Sequence, residues 1–181
     1  MMDNTQSDYD SLRASLSVST AMTLLQIGDE STSVVTSGVD NAVVTQPLTV
    51  GASHIARTYF KHNPPTPDEM ETAIMVVEDE VIRISPAVNR TSQLLTTDSN
   101  LADIAQLAGL PLQAQTIMSL ESVERMFDRL AAVMMGRPAA SEGIPADNVF
   151  AARLLILREF MHHLQFSSIT YIALPKPRFH K

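Results

Sequence analysis

The change of hydrophobic period near residue 51 constrains this chain more than any other feature of it. Before that point stand three short runs rich in β-branched residues, 23–27, 32–36 and 42–48, separated by Gly28-Asp29-Glu30 and Ser37-Gly38-Val39-Asp40-Asn41. Short apolar runs bounded by Gly, Asp and Asn read as strands joined by tight turns, so a three-stranded antiparallel meander is expected. After Gly51 the spacing becomes helical: Ile55, Tyr59 and Phe60 share a face, and the stretch stops at Asn63-Pro64-Pro65. Thr66-Pro67-Asp68-Glu69 then opens a second helix as a capping box, with Thr at the cap, Pro at the first position and Glu at the third.

The rest alternates in the same way. Ile74, Val77, Val81 and Ile84 form the stripe of the second helix, which Pro86 stops. Residues 92–96 read as a strand and 99–108 as a short helix closed by Gly109. Ser119 opens a helix carrying Val123, Met126, Phe127, Leu130 and Met134, closed by Gly136-Arg137-Pro138. A long helix starts at Pro145 and runs to about Leu164, on the stripe Val149, Ala152, Leu155, Ile156, Phe160 and Leu164. Residues 167–173 are the last strand. This order predicts an α/β fold, a mixed sheet of the meander plus parallel strands covered by helices.

Composition bounds the function. A chain of 181 residues, 45% of them apolar, buries roughly 70% of its unfolded surface and needs no covalent staples. The expected organisation is a disordered polar tail at 1–14, one domain at 15–175 and a basic tail at 176–181. The absence of cysteine excludes disulfides, thiolate metal sites and cysteine nucleophiles. A net charge of -7, with Lys176, Arg178 and Lys181 as the basic cluster, argues against a nucleic-acid partner. No apolar run approaches the roughly 18 residues of a membrane span, and the first ten residues are polar and acidic, unlike a signal peptide, so a cytoplasmic location is expected. Charged residues make up 18% of the chain, below the usual quarter, which points to a face that meets another subunit. A homodimer is expected, through the helix around residues 126–135 or the long C-terminal helix, whose apolar surface is wider than one core stripe requires.

Among chemistry-bearing residues, Glu159, His162 and His163 sit at i, i+3 and i+4, a spacing that can place a carboxylate and an imidazole on one metal. Only two of the three can face one ion, and a solvated helix end is the expectation, with no metal. His54 and His62 flank a short helix and read as surface or cap residues. Ser31 and Thr32 have no adjacent base to activate them. The run Glu78-Asp79-Glu80 reads as a solvated face. The methionines at 118, 126, 134, 135 and 161 lie mainly on helical stripes and read as core filler.

The order of elements is the plan of one lobe of the actin-like ATPase fold, which is ribonuclease H-like. Pro47-Leu48-Thr49-Val50-Gly51-Ala52, leading through Phe60-Lys61-His62-Asn63 to Pro64-Pro65-Thr66-Pro67-Asp68-Glu69-Met70, resembles the exopolyphosphatase and guanosine pentaphosphate phosphohydrolase family. In that family a "PLG" turn leads to a helix and then to a "PPT" with an acidic capping turn. Ile144-Pro145-Ala146-Asp147-Asn148-Val149-Phe150-Ala151-Ala152 resembles the family's "P-x-x-A-D-x-I-x-x-G" helix start. The resemblance covers roughly residues 20–175 and implies the second lobe alone.

The resemblance also implies a site. Family members hydrolyse terminal phosphates of polyphosphate or guanosine pentaphosphate in a cleft between two lobes, with glycine-rich turns on each and an acidic residue on the first. The first lobe's turn and carboxylate have no counterpart in this sequence. The second lobe's "D-I-G-G-G-S-T-E" aligns with residues 26–33, where Gln26 stands for the leading Asp that helps hold a metal or water, and Asp29 and Glu30 stand for glycines. Gly28, Ser31 and Thr32 remain. The family's "G-G-T" turn falls at Thr96-Thr97-Asp98-Ser99-Asn100, again without glycine, with Thr97, Asp98 and Ser99 as its candidate contacts. A phosphate cradle needs N–H groups that approach the anion, and carboxylates repel it. The resemblance therefore implies a degenerate phosphate site at residues 28–32 and 97–99. The expected role is a catalytically silent interaction or regulatory module without a cofactor. The alternative is a phosphatase whose cleft another subunit or a separate partner chain completes, with magnesium.

Overall fold

The computed structural model describes residues 4–16, 21–37 and 42–175. Six strands, β1 (Met22–Ile27), β2 (Thr32–Ser37), β3 (Val43–Thr45), β4 (Gln93–Thr96), β5 (Gln115–Ser119) and β6 (Ser168–Ile172), form one mixed sheet in the order β3-β2-β1-β4-β6-β5. The meander is present as expected: Leu25 stands opposite Val34, and Val35 opposite Thr45. β4 runs parallel to β1, and β6 parallel to β4. β5 is a strand the sequence reading lacked. It pairs antiparallel with β6 at the sheet edge, its side chains alternating outward and inward, with Ile117 exposed and Met118 buried.

Alternation along the strands builds two cores. Leu25, Ile27, Val34, Leu94 and Ile169 face a large core shared with α2 (Ala52–Tyr59), α3 (Pro67–Ile84), α4 (Ser99–Leu107), α5 (Leu120–Met134) and α7 (Asn148–His163). The connection from α5 to α7 carries a single turn, α6 (Ala139–Glu142), ended by Gly143 in the left-handed region at φ 65°. Met22, Leu24, Val35, Leu95 and Ile172 face the other side of the sheet. There they meet α1 (Asn4–Leu16), whose Tyr9 and Leu12 are fully buried, with Leu16 packed beside them.

This corrects the expected tail: residues 4–14 belong to a helix. Its stripe, Tyr9, Leu12 and Leu16, is too sparse among polar residues to register as a period, and it forms because the second sheet face must be covered. Residues 1–3, the turn at 38–41 and the basic segment 176–181 lie outside the described residues.

The long C-terminal helix also differs from its reading. Asp147 caps it by accepting the Val149 N–H, so it starts at Asn148 rather than Pro145. Its width of apolar surface is explained by position: α7 packs against α2, α3 and α5, with Phe150, Leu154, Leu155, Ile156, Leu157 and Phe160 all buried. A helix buried on most sides is no docking face, so α7 is withdrawn as a dimer contact. In the helix of residues 126–135, Met126, Leu130 and Val133 are core and Met135 is exposed. Among the described residues no helix is long and apolar enough to cross a membrane.

Candidate functional site

Ligands of α/β sheets gather outside the carboxyl ends of the parallel strands. Both turns singled out in the sequence lie there. The first joins β1 to β2 and is pressed against the N-terminus of α2. Gly28 O accepts the Ala52 N–H at 2.9 Å and Asp29 O accepts the His54 N–H at 2.9 Å. The approach is so close that a Cβ on Gly51 would lie 2.4 Å from the Asp29 oxygen. The Ser53 hydroxyl donates to Asp29 Oδ1 at 2.9 Å, and the Arg57 guanidinium grips both oxygens of Glu30 at 3.0 and 2.9 Å. That fork holds the Glu30 carboxyl below its usual range and pushes Arg57 up. Ser31 sits exposed at the tip, and its carbonyl accepts the Gly28 N–H. Thr32 is fully buried and donates its hydroxyl to Val50 O at 2.8 Å, which removes it as a nucleophile. No residue from 28 to 31 takes positive φ.

The second turn joins β4 to α4. Asp98 caps α4 with Oδ1, which accepts the Asn100 N–H at 2.9 Å, while Oδ2 accepts the Ile27 N–H at 3.2 Å. One carboxylate thus fastens the two turns together. Burial pushes the Asp98 carboxyl up, against the opposing pull of the Asn100 N–H, the nearby Arg153 guanidinium and the Ile27 N–H. Thr97 Oγ1 accepts from the Gln26 side-chain amide and donates to Asp8 Oδ2 at 3.1 Å. Ser99 is exposed in the first turn of α4 and does not cap it.

These positions suit a magnesium ion poorly: Gln26 is neutral and donates its N–H₂ to Thr97, and each Asp98 oxygen already accepts a backbone N–H.

Sequence reasoning missed two residues here. Asp8 comes from the segment read as a tail and left no signal. Arg153 did leave one, as the lone charge between Asp147 and Arg158 in an apolar helix. Its Nε is buried without a hydrogen-bond partner.

The motif segments that carry the resemblance also meet. Asn148 Nδ2 donates to His62 O at 2.9 Å, and Asn63 Nδ2 donates to Ala146 O at 3.1 Å. Beside them a cavity of about 260 Å³ is walled by Leu130, Val133, Pro138 and Pro145 and shares no residue with either turn. The capping box of α3 is formed, and Glu69 also accepts the Lys61 N–H at 2.7 Å and contacts the His62 ring at 3.3 Å. These bonds hold the Glu69 carboxyl down to about 2, the Thr66 N–H contributing most. The acidic run is not uniformly solvated, since Glu80 accepts the Thr49 N–H and pairs with Arg83 at 2.6 Å.

No family model and no curated protein matches the sequence. Solved structures do match the fold. The Aquifex aeolicus PPX-GPPA enzyme superposes with a TM-score of 0.71 at 17% identity, over 91% of this chain and 57% of that one. A crystal structure of the Aquifex aeolicus Ppx/GppA family member gives 0.69 at 16%, over 91% and 56%. An exopolyphosphatase from Cytophaga hutchinsonii ATCC 33406 gives 0.64 at 14%, over 85% and 53%. The chain spans a little over half the length of each of these structures and carries, across nine-tenths of its own length, the actin-like fold of the Ppx/GppA exopolyphosphatases.

Proposed function

We propose that this chain is an exopolyphosphatase-like lobe that does not hydrolyse phosphoanhydrides by itself and works as an interaction or regulatory module, as a homodimer. The observation that carries this is the clamp at the first turn. A helix N-terminus attracts anions because its N–H groups are unpaired. At α2 the carbonyls of Gly28 and Asp29 occupy those groups, and the two acids that replace glycines are tied to Ser53 and Arg57. The turn holds a helix rather than a phosphate. The test is phosphate release from long-chain polyphosphate and from guanosine pentaphosphate with magnesium present. No release above a buffer blank is expected; release that Ser31→Ala abolishes overturns the proposal.

Arg153 favours a second reading, a phosphatase whose cleft is completed by another subunit or chain. Its guanidinium stands near Asp98, and its buried Nε has no hydrogen-bond partner, so an anion brought by a second lobe would find an unpaired N–H on a cation there. Calorimetry with pyrophosphate separates the two readings: heat of binding that Arg153→Ala removes supports the second, and no binding supports the first.

A further inference from the structure

We propose that Glu78, Glu159 and His163 form a binding site for a first-row divalent cation, with zinc as its type, that clips α3 to α7. The inference is independent of the phosphate site, since Arg153 and His163 are ten residues apart on α7, about 15 Å along its axis.

One potential ligand atom from each of the three residues lies within 4.8 Å of the others. Glu159 and His163 are one turn apart on α7, with Oε2 of the carboxylate 2.9 Å from Nε2 of the imidazole. Glu78 arrives from the middle of α3 and places Oε1 3.9 Å from the same nitrogen. A tetrahedral zinc with bonds of about 2.1 Å needs its donors about 3.4 Å apart. The two observed separations bracket that value, so small side-chain rotations close the site.

The sequence spacing offered two ligands, and the fold supplies the third from another helix. His162 takes no part, because its Nδ1 faces Glu124 of α5 at 3.5 Å. Nor is this a solvated helix end: Glu159 is 3% exposed. A carboxylate withdrawn from water needs partners for both oxygens. Oε1 has one in the Arg158 guanidinium at 2.9 Å, itself stacked 4.5 Å over the Phe127 ring. Arg158 thereby orients the carboxylate from behind, as outer-shell partners of metal ligands do, and leaves Oε2 for the cluster. The Glu78 and His163 side chains are 39% and 27% exposed, so the fourth position opens to water. An imidazole with two carboxylates suits zinc, manganese or iron(II) better than calcium or magnesium, which prefer all-oxygen shells.

The test is calorimetric titration of the full chain with zinc chloride, beside cobalt(II) absorption. One zinc per chain and the visible bands of a tetrahedral cobalt complex are expected. His163→Ala and Glu78→Gln should each weaken binding by about tenfold or more, and His162→Ala should leave it unchanged. Glu78 is half-exposed, so its variant keeps the measurement interpretable if His163→Ala unfolds. No heat above dilution at about 1 mM zinc, or binding that survives Glu78→Gln or falls equally with His162→Ala, overturns the proposal.

Discussion

At the scale of single residues, Asp98 ties the two candidate turns together. Its two oxygens satisfy N–H groups 71 residues and two residues away in sequence. Asp98→Ala orphans both, one at a helix cap and one at the end of a central strand. Losing a cap costs about 1 kcal/mol and leaving a half-buried donor unpaired about 1–3 kcal/mol. Urea unfolding should therefore show a loss of about 2–4 kcal/mol for Asp98→Ala and less for Asp98→Asn, which keeps one acceptor. Because burial raises the folded-state pKa of Asp98, the folded state binds this proton more tightly than the unfolded state. Its contribution is fully present below the unfolded value and is lost as pH rises through the folded one. That dependence should disappear in Asp98→Asn. The candidate positions were legible in the sequence, but their partners were not. Nothing local to Thr97 announces Asp8, and nothing local to Ile27 announces Asp98.

At the scale of elements, legibility followed how much of the stabilising interaction was local. The α3 capping box is written in four consecutive residues and forms as read. The meander is equally local. By contrast, β5 has only Ile117 and Met118 as apolar content, too little to show a period of two, and exists because β6 offers a free edge. α1 exists because a sheet face needs cover, and its stripe says little alone. The local device carries its own pH signature. Glu69 has its folded pKa lowered to about 2 from 4.5, so its contribution is present above about 4.5 and is lost as pH falls from there toward 2. Urea midpoints measured across that window should fall for the natural chain and stay flatter for Glu69→Gln, whose amide cannot titrate. Equal slopes for the two would show that the capping box does not set the acid limb.

At the scale of the whole molecule, the proposed dimer needs a surface other than α7. α7 is enclosed by its neighbours, and most of the apolar stripe of α5 faces the core. The sheet supplies another surface. β5 pairs with β6 on one side and ends the strand order, so its other side carries backbone groups that no described strand satisfies. Edge strands that stay monomeric are usually guarded by Lys, Pro or a bulge. β5 reads Gln-Thr-Ile-Met-Ser, without a charge, and Ile117 is 65% exposed on it. Leu112, just ahead of the strand, is a further exposed apolar side chain. Two copies meeting edge to edge would extend the sheet and cover both isoleucines, the self-complementary arrangement that two-fold symmetry requires. Sedimentation at tens of micromolar, where an interface of standard size of about 1,600 Å² should be filled, is expected to show a dimer. Ile117→Lys should convert it to monomer without changing the thermal midpoint of the monomer fold, because the side chain makes little contact within one copy. A dimer that persists in Ile117→Lys would place the interface elsewhere, and a monomer in the natural chain would remove the homodimer from the proposed function.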